Sequence, residues 1–297
     1  MKAVIDLGTN SFKCAIARVD SGEPELVADF SLSCKLGADL AASGSIGPAA
    51  FERGLRTLEE MERICRREGV RQVLCVGAHT LREASNAREF IGAVRSRFGW
   101  QVQVLSSEQE ARLSWMASAS LHRGEGRKLV TDCGGGSIEF TFGEGARIDL
   151  QRSLPLGALL LTKSFLLSDP ALPEQVAALR ASVRSHLEPA FPGYSGLPII
   201  GGGGGVCTMA AVSLGLSSYS AELVQGSWLS AEELRRQASL YQKLDLRGRR
   251  ELPGMDPDRA DIIHAGVVCL GEILAHFHAD GLLVSTLGPR HALLKGL

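Results

Sequence analysis

The chain of 297 residues is 45% hydrophobic and 22% charged, enough for one large or two ordinary domains, and two are expected. Its formal net charge of −1 excludes a globally basic nucleic-acid binder, so any polyanion must be held by local groups and backbone N–H donors. No stretch reaches the ~18 uninterrupted apolar residues of a membrane span, MKAVIDLGTNS reads as strand and turn rather than signal peptide, and the seven scattered cysteines form no CxxC pair; a cytoplasmic protein with reduced thiols and no membrane partner is expected.

The opening segment reads as strand KAVID, turn LGTNS and strand FKCAIARV. FERGLRTLEEMERICRRE carries Leu55, Leu58, Met61 and Cys65 as a helical stripe, RQVLCVGA is a buried strand, and TLREASNAREFIGAVRSRFG is again helical. Strand VQVLS and helix SSEQEARLSWMASASL follow. The segment KLVTD, CGGGS, IEFTF then repeats the opening scheme about 126 residues later, so that Asp6, Gly8 and Ser11 correspond to Asp132, Gly134 and Ser137. Beyond it come further helices, the short strand LPII, the run GGGGG at 201–205 and the helical VCTMAAVSLGL. Two long helices, LSAEELRRQASLYQKL and DPDRADIIHAGVVCLGEILAHF, precede strand GLLVST and a final helix GPRHALLKGL packed back on the body. The alternation is α/β, and the repeat implies two similar domains, drawn at 1–124 and 125–287.

Glycine lets a ligand approach main-chain N–H groups that a side chain would shield, and phosphate is the guest such a turn suits. A tight Gly-Gly hairpin needs no ligand at all and is the plain alternative. The repeat favours phosphate, because two facing domains that each offer a glycine-rich, hydroxyl-bearing loop would form a cleft for a phosphate chain. The GGGGG run reads as a ligand loop at a helix N-terminus, with a flexible linker as its alternative.

Eight ordered blocks, VIDLGTNSFKCAIARV, GAHTLREASNAREF, SSEQEARL, DCGGGSIEF, SLPLGALLLTKSF, GGGGGVCTMAA, RRELPGMDPDRADIIHAG and STLGPRHALL, resemble the exopolyphosphatase and guanosine pentaphosphate phosphohydrolase family of the actin and sugar-kinase fold superfamily. The resemblance implies two actin-like (ribonuclease-H-like) domains of mixed sheet with flanking helices and a cleft between them, the segment 288–297 returning to the first. It implies a metal-dependent hydrolase that releases the terminal phosphate of inorganic polyphosphate, with guanosine pentaphosphate as the alternative substrate. The chain departs from the family pattern at Lys35-Leu36-Gly37, where Arg-Leu-Gly is usual, and at SEQEA, where Gly-Glu-Glu-Ala is usual; a short form without the C-terminal helical domain of longer members is expected. A sugar-kinase-like phosphotransferase using ATP and a non-catalytic nucleotide sensor are the competing classes. Oligomeric state is left open, a homodimer being one option.

Terminal phosphoanhydride hydrolysis needs charge neutralisation, an in-line water and a group to orient or deprotonate it. Phosphates are assigned to the turns Gly8, Thr9, Asn10, Ser11 and Gly134, Gly135, Gly136, Ser137, with Gly203 at the third glycine-rich loop; a satisfied turn is the alternative for Thr9 and Asn10. Glu110 takes the general base role through the resemblance, although Ser107-Glu108-Gln109-Glu110 also reads as a capping box. Asp132 and Glu139, flanking the second turn, are the candidate ligands for Mg²⁺ or Mn²⁺. Arg82, just past a strand end, is a candidate phosphate clamp, whereas an inter-helix ion pair accounts for Arg259. His276 and His278 are too close in sequence to share a helix face, and Cys133 reads as a small core residue.

Overall fold

The computed structural model describes residues 1–19, 24–122 and 124–296. The chain divides into two units, Met1–Leu113 with Gly288–Leu297, and Ser114–Leu287.

The first unit is built on strands β1 (Lys2–Leu7), β2 (Ser11–Arg18), β3 (Glu25–Ser33), β4 (Gln72–Gly77) and β5 (Val102–Val104), in the order β3-β2-β1-β4-β5. The first three form an antiparallel meander, and β4 and β5 extend the sheet in parallel on the far side of β1. Alternation puts Ala3, Ile5 and Leu7 on one face, where they join Leu55, Leu58, Met61 and Cys65 of helix Pro48–Arg67. Val4 points the other way, into a smaller cluster with Ala15, Val76 and Leu294 of helix Pro289–Lys295. A strand covered on both faces must be apolar throughout, hence the nearly unbroken KAVIDL. Arg290 clamps the terminal helix with 2.7 and 2.8 Å hydrogen bonds to the two carboxylate oxygens of Asp29 on β3, and His291 Nε2 adds a 3.1 Å contact. Burial pushes the Asp29 carboxyl up, but the hydrogen bonds from His291 and Arg290 and the Arg290 charge together hold it well below the usual range.

The stretch read as one helix from residue 80 is two, His79–Glu83 and Ala87–Phe98. The break frees Asn86 to bond the Ile46 backbone twice, accepting from its N–H at 2.8 Å and donating to its carbonyl at 2.9 Å.

The second unit carries β6 (Lys128–Cys133), β7 (Ile138–Glu144), β8 (Arg147–Leu154), β9 (Ile199–Gly202), β10 (Trp228–Ser230) and β11 (Gly281–Ser285), in the order β10-β11-β9-β6-β7-β8. Strands β6, β7 and β8 form the same antiparallel meander, and β9 and β11 add in parallel beyond β6 as β4 and β5 do beyond β1. The repeat seen in the sequence is therefore a repeat of topology. Helix Ile263–His276 is apolar on nearly every side because it packs among helices Ala158–Phe165, Pro173–Ala190, Gly204–Ser213 and Ala231–Lys243. Phe140, Phe142, Phe191 and Phe277 fill the core with ring centroids 4.8 to 6.3 Å apart. His276 ends that helix, and His278 lies beyond it at φ +52°, so the two do not share a helix.

The boundary falls inside helix Ser107–Ser118 rather than at residue 124. The second half of that helix is tied to the second sheet, Ser114 Oγ donating to Asp132 at 2.7 Å and Trp115 Nε1 to the Gly145 carbonyl at 3.2 Å. Among the described residues no helix is long and apolar enough to cross a membrane.

Candidate active site

Each unit turns from its first to its second strand through the glycine-rich segment that the sequence singles out. In the first, Leu7 pairs with Phe12 and Gly8–Asn10 make the turn; in the second, Cys133 pairs with Ile138 and Gly134–Ser137 make it. The first glycine of both turns has the same structural cause. A Cβ on Gly8 would stand 2.7 Å from the Ser11 carbonyl oxygen, and one on Gly134 2.9 Å from that of Ser137. Those two glycines are required by the chain's approach to itself.

The rest of each turn is held by its carbonyl groups. In the second unit the Gly134 oxygen accepts from Ala158 N at 3.1 Å, the Gly135 oxygen from Leu159 and Leu160 N at 2.9 and 3.0 Å, and the Gly136 oxygen from Gly157 N at 3.2 Å. These donors are the first N–H groups of helix Ala158–Phe165 and its cap, which have no partner within the helix. In a planar trans peptide the N–H points opposite to the C=O. With three consecutive carbonyls turned onto the helix, the N–H groups of Gly135, Gly136 and Ser137 point together to the other side. The first turn repeats the device with different anchors: Thr9 O accepts from Gly37 N at 3.0 Å, and Asn10 O from Cys34 and Lys35 N at 3.0 and 2.7 Å. The N–H groups of Asn10 and Ser11 are thereby turned away from that anchoring loop. Successive N–H groups aimed to one side form an anion-binding concavity.

Thr9 and Asn10 differ from a fully satisfied turn in an informative way. Thr9 Oγ1 accepts from Thr80 Oγ1 at 3.0 Å. The Asn10 amide is only 4% exposed, yet neither its Nδ2 nor its Oδ1 has a hydrogen-bond partner. A buried, unbonded amide is costly, and a ligand at the turn would relieve it.

Arg82 sits where expected, past β4 in helix His79–Glu83. Its Nη1 donates to the Leu105 carbonyl at 3.0 Å and to Glu110 Oε2 at 2.9 Å, in an ion pair whose side chains are each 15% exposed. The capping box of helix Ser107–Ser118 lies one residue earlier than read from the sequence. Ser106 Oγ accepts from Gln109 N at 3.2 Å, and Gln109 Oε1 accepts from Ser106 N at 2.8 Å. Helix entry therefore accounts for Gln109 and not for Glu110, whose carboxylate is oriented by Arg82.

Asp132 and Glu139 are register partners on β6 and β7 and share a sheet face. Both are buried, at 9% and 2% exposure. Asp132 Oδ2 accepts from Ser114 Oγ at 2.7 Å; Glu139 Oε1 accepts from Ser137 and Ser153 Oγ at 2.7 and 2.9 Å. Among the described residues no three His, Cys, Asp or Glu are grouped to enclose a metal ion. Two hard carboxylates beside a turn of N–H donors fit a cation that keeps water and takes substrate phosphate oxygens, the habit of Mg²⁺. Cys133 between them is no nucleophile: burial first, then the Asp132 charge, pushes its thiol up to about 12.

The GGGGG run is no linker. Gly201 and Gly202 end β9, Gly203 caps, and Gly204 and Gly205 open helix Gly204–Ser213. Gly203 is held at φ +105° with its Cα so close to Cys133 that a Cβ would fall 2.3 Å from that carbonyl oxygen, which places this helix start directly behind the second turn. Sequence reasoning left out Arg259. The inter-helix ion pair expected for it is not what forms: its Nε pairs locally with Asp256 at 2.9 Å in the loop before helix Ile263–His276, and its guanidinium lies against Gly204, where a Cβ would be 2.2 Å from Cζ. The signal missed was the proximity of two glycine-rich and arginine-rich blocks distant in sequence. Thr80, Ser114 and Ser153 were missed because a lone hydroxyl in a helix or strand carries no local pattern.

A repeated meander-plus-parallel sheet in each unit, flanked by helices and opening on an N–H-lined turn after the first strand, defines a two-domain α/β protein of actin-like architecture. The chain belongs to the Ppx/GppA phosphatase family, whose model matches residues 15–297. It is 27% identical over its whole length to the guanosine-5'-triphosphate,3'-diphosphate pyrophosphatase of Aliivibrio fischeri, of which it covers 59%. It spans about half the length of the curated relatives it matches, 45% of one and 59% of another. Among solved structures, the Ppx/GppA family member of Aquifex aeolicus is 28% identical with a TM-score of 0.80, covering 99% of this chain and 96% of that one. An exopolyphosphatase-like protein is 26% identical with a TM-score of 0.90, the match covering 99% and 97%.

Proposed function

We propose that the chain is a phosphoanhydride hydrolase that removes the terminal phosphate of inorganic polyphosphate. The observation that carries this reading is the second turn, whose three carbonyls are pinned to a helix so that the N–H groups of Gly135, Gly136 and Ser137 turn together to the opposite side, an arrangement suited to an anion. The amide of Asn10, buried and unbonded, supports the same role for the first turn.

In the proposed reaction a water oxygen attacks the terminal phosphorus, the bridging P–O bond breaks, and orthophosphate and a chain one unit shorter are the products. Glu110 accepts the water proton, and Arg82 fixes the direction of its carboxylate. Backbone N–H groups of a glycine-rich turn would hold phosphoryl oxygens as charge shifts toward the leaving group. Mg²⁺ or Mn²⁺, held by Asp132 and Glu139, would supply charge neutralisation. Gly203 and the helix start behind it add a further positive dipole end.

A second reading is hydrolysis of the 5'-terminal phosphoanhydride of guanosine pentaphosphate, which the name of the Aliivibrio fischeri relative favours. Both rest on the same chemistry and separate only in the group behind the phosphates. Phosphate release from polyphosphates of several lengths, guanosine pentaphosphate and ATP, measured side by side with and without Mg²⁺, tests both. Release from polyphosphate that exceeds release from ATP and disappears in Glu110→Gln is expected. No release above background from any of the three would overturn the reading, and preference for guanosine pentaphosphate would select the alternative.

A further inference from the structure

Thr80 belongs to no phosphate turn, yet it is fully buried in helix His79–Glu83 and donates its hydroxyl proton to Thr9 Oγ1 at 3.0 Å. A threonine hydroxyl has one proton and two acceptor lone pairs. With a lone pair of Thr9 Oγ1 occupied by the Thr80 proton, the Thr9 proton is directed away from Thr80 and available to a different acceptor. A hydroxyl that accepts a hydrogen bond is also polarised into a better donor. The loop around the pair is shaped to admit it: a Cβ on Gly37 would lie 2.5 Å from Thr9 Cγ2 and 2.8 Å from Thr80 Oγ1, and Gly37 N holds the Thr9 carbonyl at 3.0 Å. Gly37 therefore serves the Thr9–Thr80 contact from two sides.

We propose that Thr80 is a positioning residue that sets the direction and donor strength of the Thr9 hydroxyl toward a substrate phosphate. The inference rests on the reading of the first turn as a phosphate site and adds to it a residue outside the turn. Its location gives it a wider consequence. The same five-residue helix sends Arg82 to Glu110 two residues later, so one rigid element fixes a phosphate donor through Thr80 and the orientation of the proposed base through Arg82. Substrate contact and water activation in the first unit are thereby held to a common frame.

The test is a double-mutant cycle on Thr80→Val and Thr9→Val, with Thr80→Ser as the conservative control. Half-saturation and kcat are measured with tripolyphosphate, and tripolyphosphate binding by calorimetry is measured for the same variants in a Glu110→Gln background. Loss of a hydrogen bond to a charged group corresponds to about a tenfold change or somewhat more. Thr80→Val and Thr9→Val should each weaken tripolyphosphate binding about tenfold, the double variant should be no weaker than Thr9→Val, and Thr80→Ser should bind as the parent does. A melting curve of each variant separates this from a structural role, because a purely structural hydroxyl lowers the melting temperature and leaves the affinity of the folded protein intact. Weakened binding in Thr9→Val with none in Thr80→Val would overturn the role of Thr80 while the phosphate reading of the turn stands. Unchanged binding in Thr9→Val would instead remove Thr9 from the phosphate site, and Thr80 with it. Additive losses in the double variant would overturn the coupling.

Discussion

The two turns share a topology and differ in what stands opposite their acids. Asp6 on β1 faces Lys13 on β2, whereas Asp132 on β6 faces Glu139 on β7. One hairpin pairs an acid with a cation and the other sets two buried carboxylates side by side. Their anchors differ as well: the first turn hangs its carbonyls on a loop at Cys34–Gly37, the second on the N-terminus of helix Ala158–Phe165. Duplicated topology has thus been given unequal electrostatics. On the proposed reading the first unit, which also holds the Arg82–Glu110 pair, would handle the proton, and the second would hold the cation.

The largest effect expected from breaking this division is on turnover. Glu110→Gln should lower kcat by about 10²–10⁴-fold while half-saturation by substrate and by metal stays near that of the parent. A variant that turns over at the parental rate would remove Glu110 from the chemistry. The acids of the two turns should then separate in metal dependence. Asp132→Asn should raise the Mn²⁺ concentration needed for half-maximal activity by more than the roughly 10–100-fold typical of losing an outer partner of a ligand, and should weaken Mn²⁺ binding measured by electron paramagnetic resonance. Asp6→Asn should shift the same titration less. Equal shifts would contradict the assignment of the cation to the second unit.

Smaller changes distinguish the glycines within one turn. Gly134→Ala must move the Ser137 carbonyl and should cost about 1–3 kcal/mol of stability, with Gly8→Ala costing a similar amount for the same reason. Gly135→Ala should instead raise half-saturation by substrate while melting changes little. A lowered melting temperature with normal kinetics would return Gly135 to a structural role.

The effect furthest from the turns is on stability against pH. Burial first, then the charges of Arg249 and Arg180 against the opposing Asp169, lowers the His264 imidazole to about 4. Its folded value lies below its unfolded value of about 6.5, so the unfolded chain binds the proton more readily in between. Stability is complete above about pH 6.5 and falls as pH drops toward 4, by at most about 1.4 kcal/mol per pH unit from this group. His79 and His291, lowered first of all by burial, add the same sign from the first unit. His264→Gln should flatten part of the dependence of melting temperature on pH between 6.5 and 4.5; an unchanged slope would show that His264 does not titrate there.

The central strands were legible because they are covered on both faces and read as continuous apolar runs, KAVID and KLVTD above all. Strands β3, β8 and β10 were not, and all three are sheet edges; β3 and β8 have hardly a buried residue. An edge has one partner and its sequence is less constrained, although β5, also an edge, was read from VQVLS. The glycine-rich turns were visible as a repeat, and the reason for their glycines was only half visible. Gly8 and Gly134 answer to backbone crowding, which no composition reveals. The capping box was displaced by one residue because SSEQE offers both Ser106 with Gln109 and Ser107 with Glu110; the fold takes the first pair and leaves Glu110 to Arg82. Pairings such as Arg82 with Glu110 and Thr80 with Thr9 join segments far apart in the chain, beyond the reach of local pattern.

That the turns exist to present backbone N–H groups to phosphate is tested most directly by amide chemical shifts. Tripolyphosphate and Mg²⁺ titrated into isotopically labelled Glu110→Gln protein should shift the amides of Asn10, Ser11, Gly135, Gly136 and Ser137 saturably. The amides of Gly134, Ala158 and Leu159, already bonded to carbonyls within the fold, should move far less. Saturable binding that leaves those five amides unmoved would contradict the assignment of both turns to phosphate.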